Sequence, residues 1–288
     1  MSRIAVIGLI AYSPFLTADW FSTNNALNKA HESLLTNDLA SSFTAMVEVW
    51  QKPATPAIKD NLNNLLIQSL DVDCGRTLSN KALPVWIQSL SITRQTLESP
   101  GRRTFRAVLN ATATESIKTL SFKSLSDKAI SIDAESTEPS DGVTDNHTFQ
   151  TRYNLNYNLD IGLYEVEIES DSGKSWSHWV IISESPEKYT ARWTGKDSWT
   201  IEKTFIPNRY CSLPLLQVAL YDYKDNAYTE KWSQQYESDY PQTIDASELE
   251  PQRYILAISM THERWQGDIV LKDQRVISKS YDLTADKE

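Results

Sequence analysis

The sequence lacks the short motifs that mark most enzyme active sites. Its four histidines, His31, His147, His178 and His262, stand at no HxH, HxxxH or HExxH spacing, so no local metal site is indicated. A GxSxG motif and a CxxC pair are also absent, which argues against a hydrolase with that nucleophile, a thioredoxin-like redox site and a cysteine zinc site. We therefore assign no catalytic residue and expect neither a cofactor nor a metal.

The chain also lacks an excess of basic residues. Lys and Arg number 28 against 38 Asp and Glu, which gives a net charge of −10. This charge repels phosphate backbones and anionic head groups, so binding to nucleic acid or to a membrane surface is not expected. Long charged runs and low-complexity tracts are missing too, whereas hydrophobic residues make up 40% of the chain. The composition therefore predicts a folded protein, and the length of 288 residues predicts about two domains, with three as the alternative.

The first 18 residues have the layout of a secretory signal peptide. Arg3 supplies a positive charge, Ile4 to Leu16 is uncharged and mostly apolar, and Ala18 is a small residue at the cut. The apolar stretch is shorter than the roughly 20 residues that span a bilayer as a helix. Leu16 is larger than the residue usual at its position, so a buried first helix or strand stays the alternative. We expect export to the periplasm, cleavage near Ala18 and a soluble mature chain without membrane insertion.

The chain holds only two cysteines, Cys74 and Cys211. In an oxidising compartment they can form a disulfide, which would tie the front of the chain to its last third. The alternative is two separate buried thiols.

Residues 19–82 predict a helical module. Apolar residues recur at helical spacing in three stretches, the second of them preceded by Asp38, a good N-terminal cap. A single helical hairpin cannot bury its own apolar face. We therefore expect a helical hairpin or three-helix cap that packs on the structure behind it.

From about residue 83 the apolar period changes from helical to the alternation of strands. Two sets of short strands separated by turn residues indicate two β-sandwiches, at 83–186 and 187–288. In each set a Leu is followed five residues later by a Tyr and nine residues later by an Ile, at Leu159–Ile168 and at Leu249–Ile258. This pattern resembles the tyrosine corner of immunoglobulin-like sandwiches, so Tyr164 and Tyr254 are interpreted as structural.

Aromatic residues are the remaining candidates for a binding surface. Trp176 and Trp179 stand three apart on one predicted strand, so they should face opposite sides and one should be exposed. A row of exposed rings would suit sugar stacking or a protein interface, whereas buried rings would belong to the core. The candidates are Trp176, Trp179, Trp193, Trp199, Trp232 and Trp265.

The helical segment carries a resemblance to a known family. Asp19-Trp20-Phe21, Ala30–Leu35, Asp38-Leu39 with Ser42-Phe43, and Val47–Gln51 are similar to an uncharacterised family of exported proteins from vibrio-like bacteria, catalogued as a domain of unknown function. The resemblance implies a periplasmic setting and an association with envelope signalling genes. It brings no catalytic residues.

These observations predict a mainly β protein with a small α N-terminal module, in which three helices precede two immunoglobulin-like sandwiches. The leading hypothesis is a non-enzymatic periplasmic binding or accessory protein whose partner is an envelope protein, such as a sensor protein. The alternative is a module that binds cell-wall or exopolysaccharide glycan, and a hydrolase is third.

Overall fold

The structure of the chain is a computed structural model. Residues 1–19 lie outside the described part, and with them the predicted signal peptide. The described residues are 20–79, 81–125, 130–131, 134–137, 147–184, 189–204, 206, 208–225, 227–245 and 249–284.

Three helices form the N-terminal module, as the apolar spacing predicts. They are α1 (Trp20–Leu35), α2 (Leu39–Trp50) and α3 (Pro56–Asp73). The Asp38 carboxylate accepts a hydrogen bond from the Ser41 backbone at 3.1 Å, which confirms the predicted cap of α2. The helices share a core with the outer face of two later strands, which contribute the fully buried Ile181 and the nearly buried Leu163. The helical module therefore covers part of the β structure.

Strands make up most of the rest of the described chain, which confirms the mainly β class. They are β1 (Ile87–Ser99), β2 (Arg102–Ala113), β3 (Ile117–Ser124), β4 (Ala134–Thr137), β5 (His147–Leu155), β6 (Gly162–Ser170), β7 (Ser175–Ile182), β8 (Tyr189–Trp193), β9 (Trp199–Lys203), β10 (Leu215–Lys224), β11 (Ala227–Tyr236), β12 (Arg253–Gln266) and β13 (Ile269–Asp282).

One long sheet connects the two predicted β sets. Its eight strands run in the order β11-β10-β12-β13-β1-β2-β5-β4, and two smaller sheets, β3-β6-β7 and β8-β9, accompany it. The join is the parallel pairing of β1 with β13, from Leu90 opposite Ile269 to Glu98 opposite Ile277. The prediction of two separate immunoglobulin-like sandwiches is therefore not confirmed, because strands of both sets share this sheet.

Two apolar cores nevertheless form on one face of the long sheet. The first core packs β1, β2 and β5 against β3-β6-β7, and the second packs β10 and β12 against β8-β9. Strand β13 contributes to both, with Ile269 and Leu271 in the first core and Ile277 and Tyr281 in the second. Its 14 residues span about 46 Å, which is long enough to run beneath both cores.

The end of α3 is fixed to the second half of the chain. The predicted disulfide between Cys74 and Cys211 is confirmed. Beside it, the Trp265 backbone N–H donates to the Cys74 carbonyl at 2.9 Å. A Cβ on Gly75 would lie 2.0 Å from the Trp265 carbonyl oxygen, so only glycine permits this close approach. The helical module is thus held covalently and through its backbone.

Candidate functional site

A polar stripe separates the two cores on the inner face of the long sheet. In the strand register Arg94 lies opposite Asp273, and Asp273 lies opposite His262 on its other side. Opposed residues of neighbouring strands point to the same face, so these side chains share the face of Leu271 and Ile277. The described members of the stripe are Arg94, Thr96, His262, Arg264, Asp273 and Arg275.

A cleft of about 590 Å³ lies over this stripe. Its floor includes Arg94, Thr96, His262, Asp273 and Arg275. Its walls come from parts of the chain that are distant in sequence, namely α3, the segment before β6, the segment just after β7, and β8. The wall residues are Lys59, Asn158, Leu159, Asp160, Ile161, Glu184, Tyr189 and Thr190. The helical module and both β cores therefore contribute to a single cleft.

A buried ion cluster forms the floor of the cleft. Arg94 contacts Asp273 through Nη2 at 2.6 Å and through Nε at 2.7 Å, and its Nη1 donates to the Ser183 carbonyl at 3.1 Å. Arg264 Nη1 reaches the other carboxylate oxygen of Asp273 at 3.0 Å. Burial lowers the pKa of the Arg264 guanidinium, an effect that Asp273 opposes. Removing one partner from such a buried cluster leaves an uncompensated charge, so Arg94, Arg264 and Asp273 depend on one another energetically.

The rim of the cleft carries three exposed charges of both signs. The ammonium of Lys59 lies on α3, the Asp160 carboxylate on the segment before β6, and the Glu184 carboxylate just after β7. Within the described residues, none of these three charged groups forms an ion pair or a side-chain hydrogen bond with another residue. A bound molecule can therefore contact them without breaking an ion pair or a side-chain hydrogen bond to another described residue.

The ring of Tyr189 forms an apolar part of the wall and is already engaged. It meets the rings of Tyr240 and His262 edge-on, with centroids 6.2 and 6.4 Å away. The Lys203 ammonium lies 5.4 Å from its centroid, and the Tyr189 backbone N–H donates to His262 Nε2 at 3.3 Å. These contacts fix the ring in place and occupy much of its surface.

The structure does not bring the predicted tryptophans together as an exposed row. Trp176 and Trp199 are buried, and the other four candidates are partly buried. Trp176 and Trp179 face opposite sides of β7, as predicted, but neither is exposed: Trp176 lies in the first core, and the half-buried Trp179 packs against the helical core. Both faces of β7 are therefore covered.

The remaining tryptophans also have local contacts. The Lys279 ammonium lies 3.8 Å from the ring centroid of Trp193, and the Arg76 guanidinium lies 3.8 Å from that of Trp265. Trp232 packs against the second core. Exposed aromatic surface is instead provided by Tyr223 and Tyr228, whose centroids lie 4.7 Å apart at the β10–β11 hairpin.

The two predicted structural tyrosines make the hydrogen bonds of a tyrosine corner. The Tyr164 hydroxyl donates to the Asp160 carbonyl at 2.9 Å, and the Tyr254 hydroxyl donates to the Glu250 carbonyl at 3.0 Å. Burial is the main cause that raises the pKa of Tyr164 to about 12. The Asp160 backbone that supports one wall of the cleft is thereby held in place.

Sequence reasoning missed the cleft, although β1 carries a signal for it. Leu90 and Ile92 occupy core-facing positions of the alternating strand, and Arg94 continues the same face. A charged residue at a core-facing position needs a buried partner or a solvated gap. This pattern could have indicated a polar interruption of the core, but not the partner, because Asp273 lies 179 positions away.

The described residues contain no group of three or more His, Cys, Asp or Glu side chains placed to hold a metal ion. None of the described helices is both long enough and apolar enough to cross a membrane.

In comparisons with known proteins, residues 20–282 match a family model described as "Protein of unknown function (DUF2861)". No curated protein matches the chain.

Proposed function

The chain belongs to the DUF2861 family of proteins of unknown function, and we propose that it is an exported, non-enzymatic binding or accessory protein of the bacterial cell envelope. The observation that carries the proposal is the mixed-charge cleft where the helical module and the two β cores meet. Binding sites occur preferentially at such junctions. Its partner would be an envelope protein, such as a sensor protein, that contacts the rim of the cleft.

Export to the periplasm is the second part of the proposal. The disulfide between Cys74 and Cys211 supports it, since disulfides persist in oxidising compartments. The charge pattern of residues 1–18 supports it as well. Mass spectrometry of the chain from a periplasmic fraction should find Asp19 as the first residue. An intact N-terminus on protein confined to the cytoplasm would contradict export.

Binding is tested with the mature chain immobilised in an envelope extract. Lys59→Glu reverses a charge at the rim, whereas the matched control Lys231→Glu reverses a charge on β11, which does not line the cleft. We expect the wild type and the control to retain an envelope protein. The Lys59→Glu chain should retain about tenfold less of that protein. Equal retention by all three chains would refute a role for the cleft.

A glycan-binding function is the alternative, favoured by one observation. Tyr223 and Tyr228 are 51% and 65% exposed and stand side by side at a hairpin tip. Pull-down on insoluble cell-wall polysaccharide should then fail for the double variant Tyr223→Ala, Tyr228→Ala and persist for Tyr157→Ala, which removes another exposed ring. No retention of the wild type would remove this alternative.

A second proposal concerns the relationship of the two β cores to immunoglobulin-like units. We propose that each core derives from such a unit and that the two units share one long sheet. The paired tyrosine corners of Tyr164 and Tyr254 support this relationship.

A further inference from the structure

The size and lining of the cleft limit what it can hold. Small-molecule sites commonly measure about 300–1,000 Å³, and the volume of about 590 Å³ lies within that range. Its lining is mostly charged or polar, with Leu159, Ile161 and Tyr189 as the main apolar contributions. An acyl chain placed there would desolvate charged groups without replacing their hydrogen bonds, which is unfavourable. The chemistry selects a polar ligand.

The rim selects for a ligand that carries both charges. A molecule with only a negative charge would be attracted by Lys59 and repelled by Asp160 and Glu184, and a molecule with only a positive charge would meet the reverse. A ligand with one ammonium and one carboxylate can satisfy both kinds of rim group. On the floor Arg94 and Arg264 share the single carboxylate of Asp273, which leaves a net positive charge that adds to the attraction of Lys59 for a ligand carboxylate.

The wall also disfavours a neutral sugar. Sugar sites commonly use the open face of an aromatic ring. Among the described residues, the aromatic rings that line this cleft are those of Tyr189 and His262. The ring of Tyr189 is engaged by Tyr240, His262 and Lys203. A pyranose would therefore have to displace existing contacts to stack on it.

We infer that the cleft binds a small zwitterion, namely a short peptide with free termini. The ligand carboxylate is placed towards Lys59, and its ammonium towards Asp160 and Glu184. This inference rests on the proposed function, since it names a ligand for the same site.

Calorimetric titration of the mature chain tests the ligand class. The probes are dipeptides with free termini and varied side chains, their N-acetylated and C-amidated forms, and a disaccharide of N-acetylglucosamine. We expect a free dipeptide to bind and each blocked form to bind about tenfold more weakly. Equal binding of free and blocked forms, binding of the disaccharide instead, or no binding of any dipeptide would each overturn the inference.

Rim variants assign each end of the ligand. Lys59→Gln should erase the preference for the free carboxylate over the amide, and Asp160→Asn combined with Glu184→Gln should erase the preference for the free amine. Lys231→Gln on β11 should keep both preferences, because that residue does not line the cleft. Preferences that survive the rim changes would contradict the assigned orientation. Two results together separate this inference from the proposed function. If no dipeptide binds, but an envelope protein is retained by the wild type and not by Lys59→Glu, this inference is overturned and the proposed function stands.

Discussion

The side-chain amide of Gln266 pairs with both backbone polar groups of Ile181. Gln266 Nε2 donates to the Ile181 carbonyl at 2.6 Å, and the Ile181 N–H donates to Gln266 Oε1 at 3.0 Å. Both residues are fully buried, and β7 is an edge strand of its small sheet. The amide thus supplies the hydrogen bonds that a neighbouring strand would make, and it joins the long sheet to the small one.

Replacing this amide should destabilise the fold. Gln266→Leu leaves a buried N–H and a buried carbonyl without partners, at about 1–3 kcal/mol for each group. We expect the free energy of unfolding, measured by urea denaturation, to fall by about 2–6 kcal/mol. The control Gln235→Leu on exposed β11 should change it by less than about 0.5 kcal/mol. An equal effect of the two changes would refute the bridging role of Gln266.

The floor of the cleft should depend on the Asp273 carboxylate. Asp273→Asn leaves two buried guanidinium groups, of Arg94 and Arg264, without their shared counter-charge. The expected loss is about 3–5 kcal/mol of unfolding free energy in denaturant titration. Glu202→Gln breaks the exposed pair with Arg192 and should cost at most about 1 kcal/mol. A loss for Asp273→Asn no greater than for this control would show that the buried cluster is not needed.

The disulfide should stabilise the chain mainly by restricting its unfolded state. Cys74 and Cys211 close a loop of 137 positions, for which loop entropy gives about 4–5 kcal/mol. The double variant Cys74→Ser, Cys211→Ser should lose about that amount in guanidinium titration. Adding reductant should lower the stability of the wild type to that of the variant and leave the variant unchanged. Unchanged stability of the wild type in reductant would contradict the stabilising role of the disulfide.

Acid should destabilise the fold through His178. Its ring lies between Phe43 and Trp176, and burial lowers its pKa from 6.5 to about 4. Nearby Lys81 also lowers this pKa, and Asp268 opposes the shift. Well above pH 6.5 the ring is neutral in both states and the effect is absent. As the pH falls below 6.5, the unfolded state takes up the proton first, so stability declines until about pH 4.

The variant His178→Gln isolates this contribution. Between about pH 7 and about pH 5 the wild type should lose about 2 kcal/mol more unfolding free energy than the variant, as measured by urea titration at each pH. The exposed His147→Gln control should lose as much as the wild type. If the wild type and His178→Gln lose the same unfolding free energy as the pH falls, His178 is not the cause of the acid destabilisation.

Local sequence patterns predict the elements of this fold well. The three helices, the Asp38 cap and the tyrosine pattern at Tyr164 and Tyr254 each depend on residues a few positions apart. The disulfide is also predictable, because a chain with only two cysteines allows one pairing. These features follow from short-range spacing or from counting.

Long-range pairing escapes the same reasoning. The alternation of β1 indicates a strand and not its neighbour, so the parallel pairing with β13 and the contact of Arg94 with Asp273 cannot be read from either segment alone. Trp179 shows the same limit of sequence reasoning. The alternation of β7 predicts that one face of the strand is exposed, but the helical core covers that face. The cleft depends on both kinds of contact and therefore emerges only from the fold.

The central claim, that the cleft is where a partner binds, is tested most directly by photo-cross-linking in living cells. A photoreactive amino acid replaces Thr190 on the cleft wall or, as the control, Gln234 on exposed β11. The account predicts an adduct with an envelope protein from position 190 and none from position 234. Absence of an adduct from position 190, or equal adducts from both positions, would contradict it.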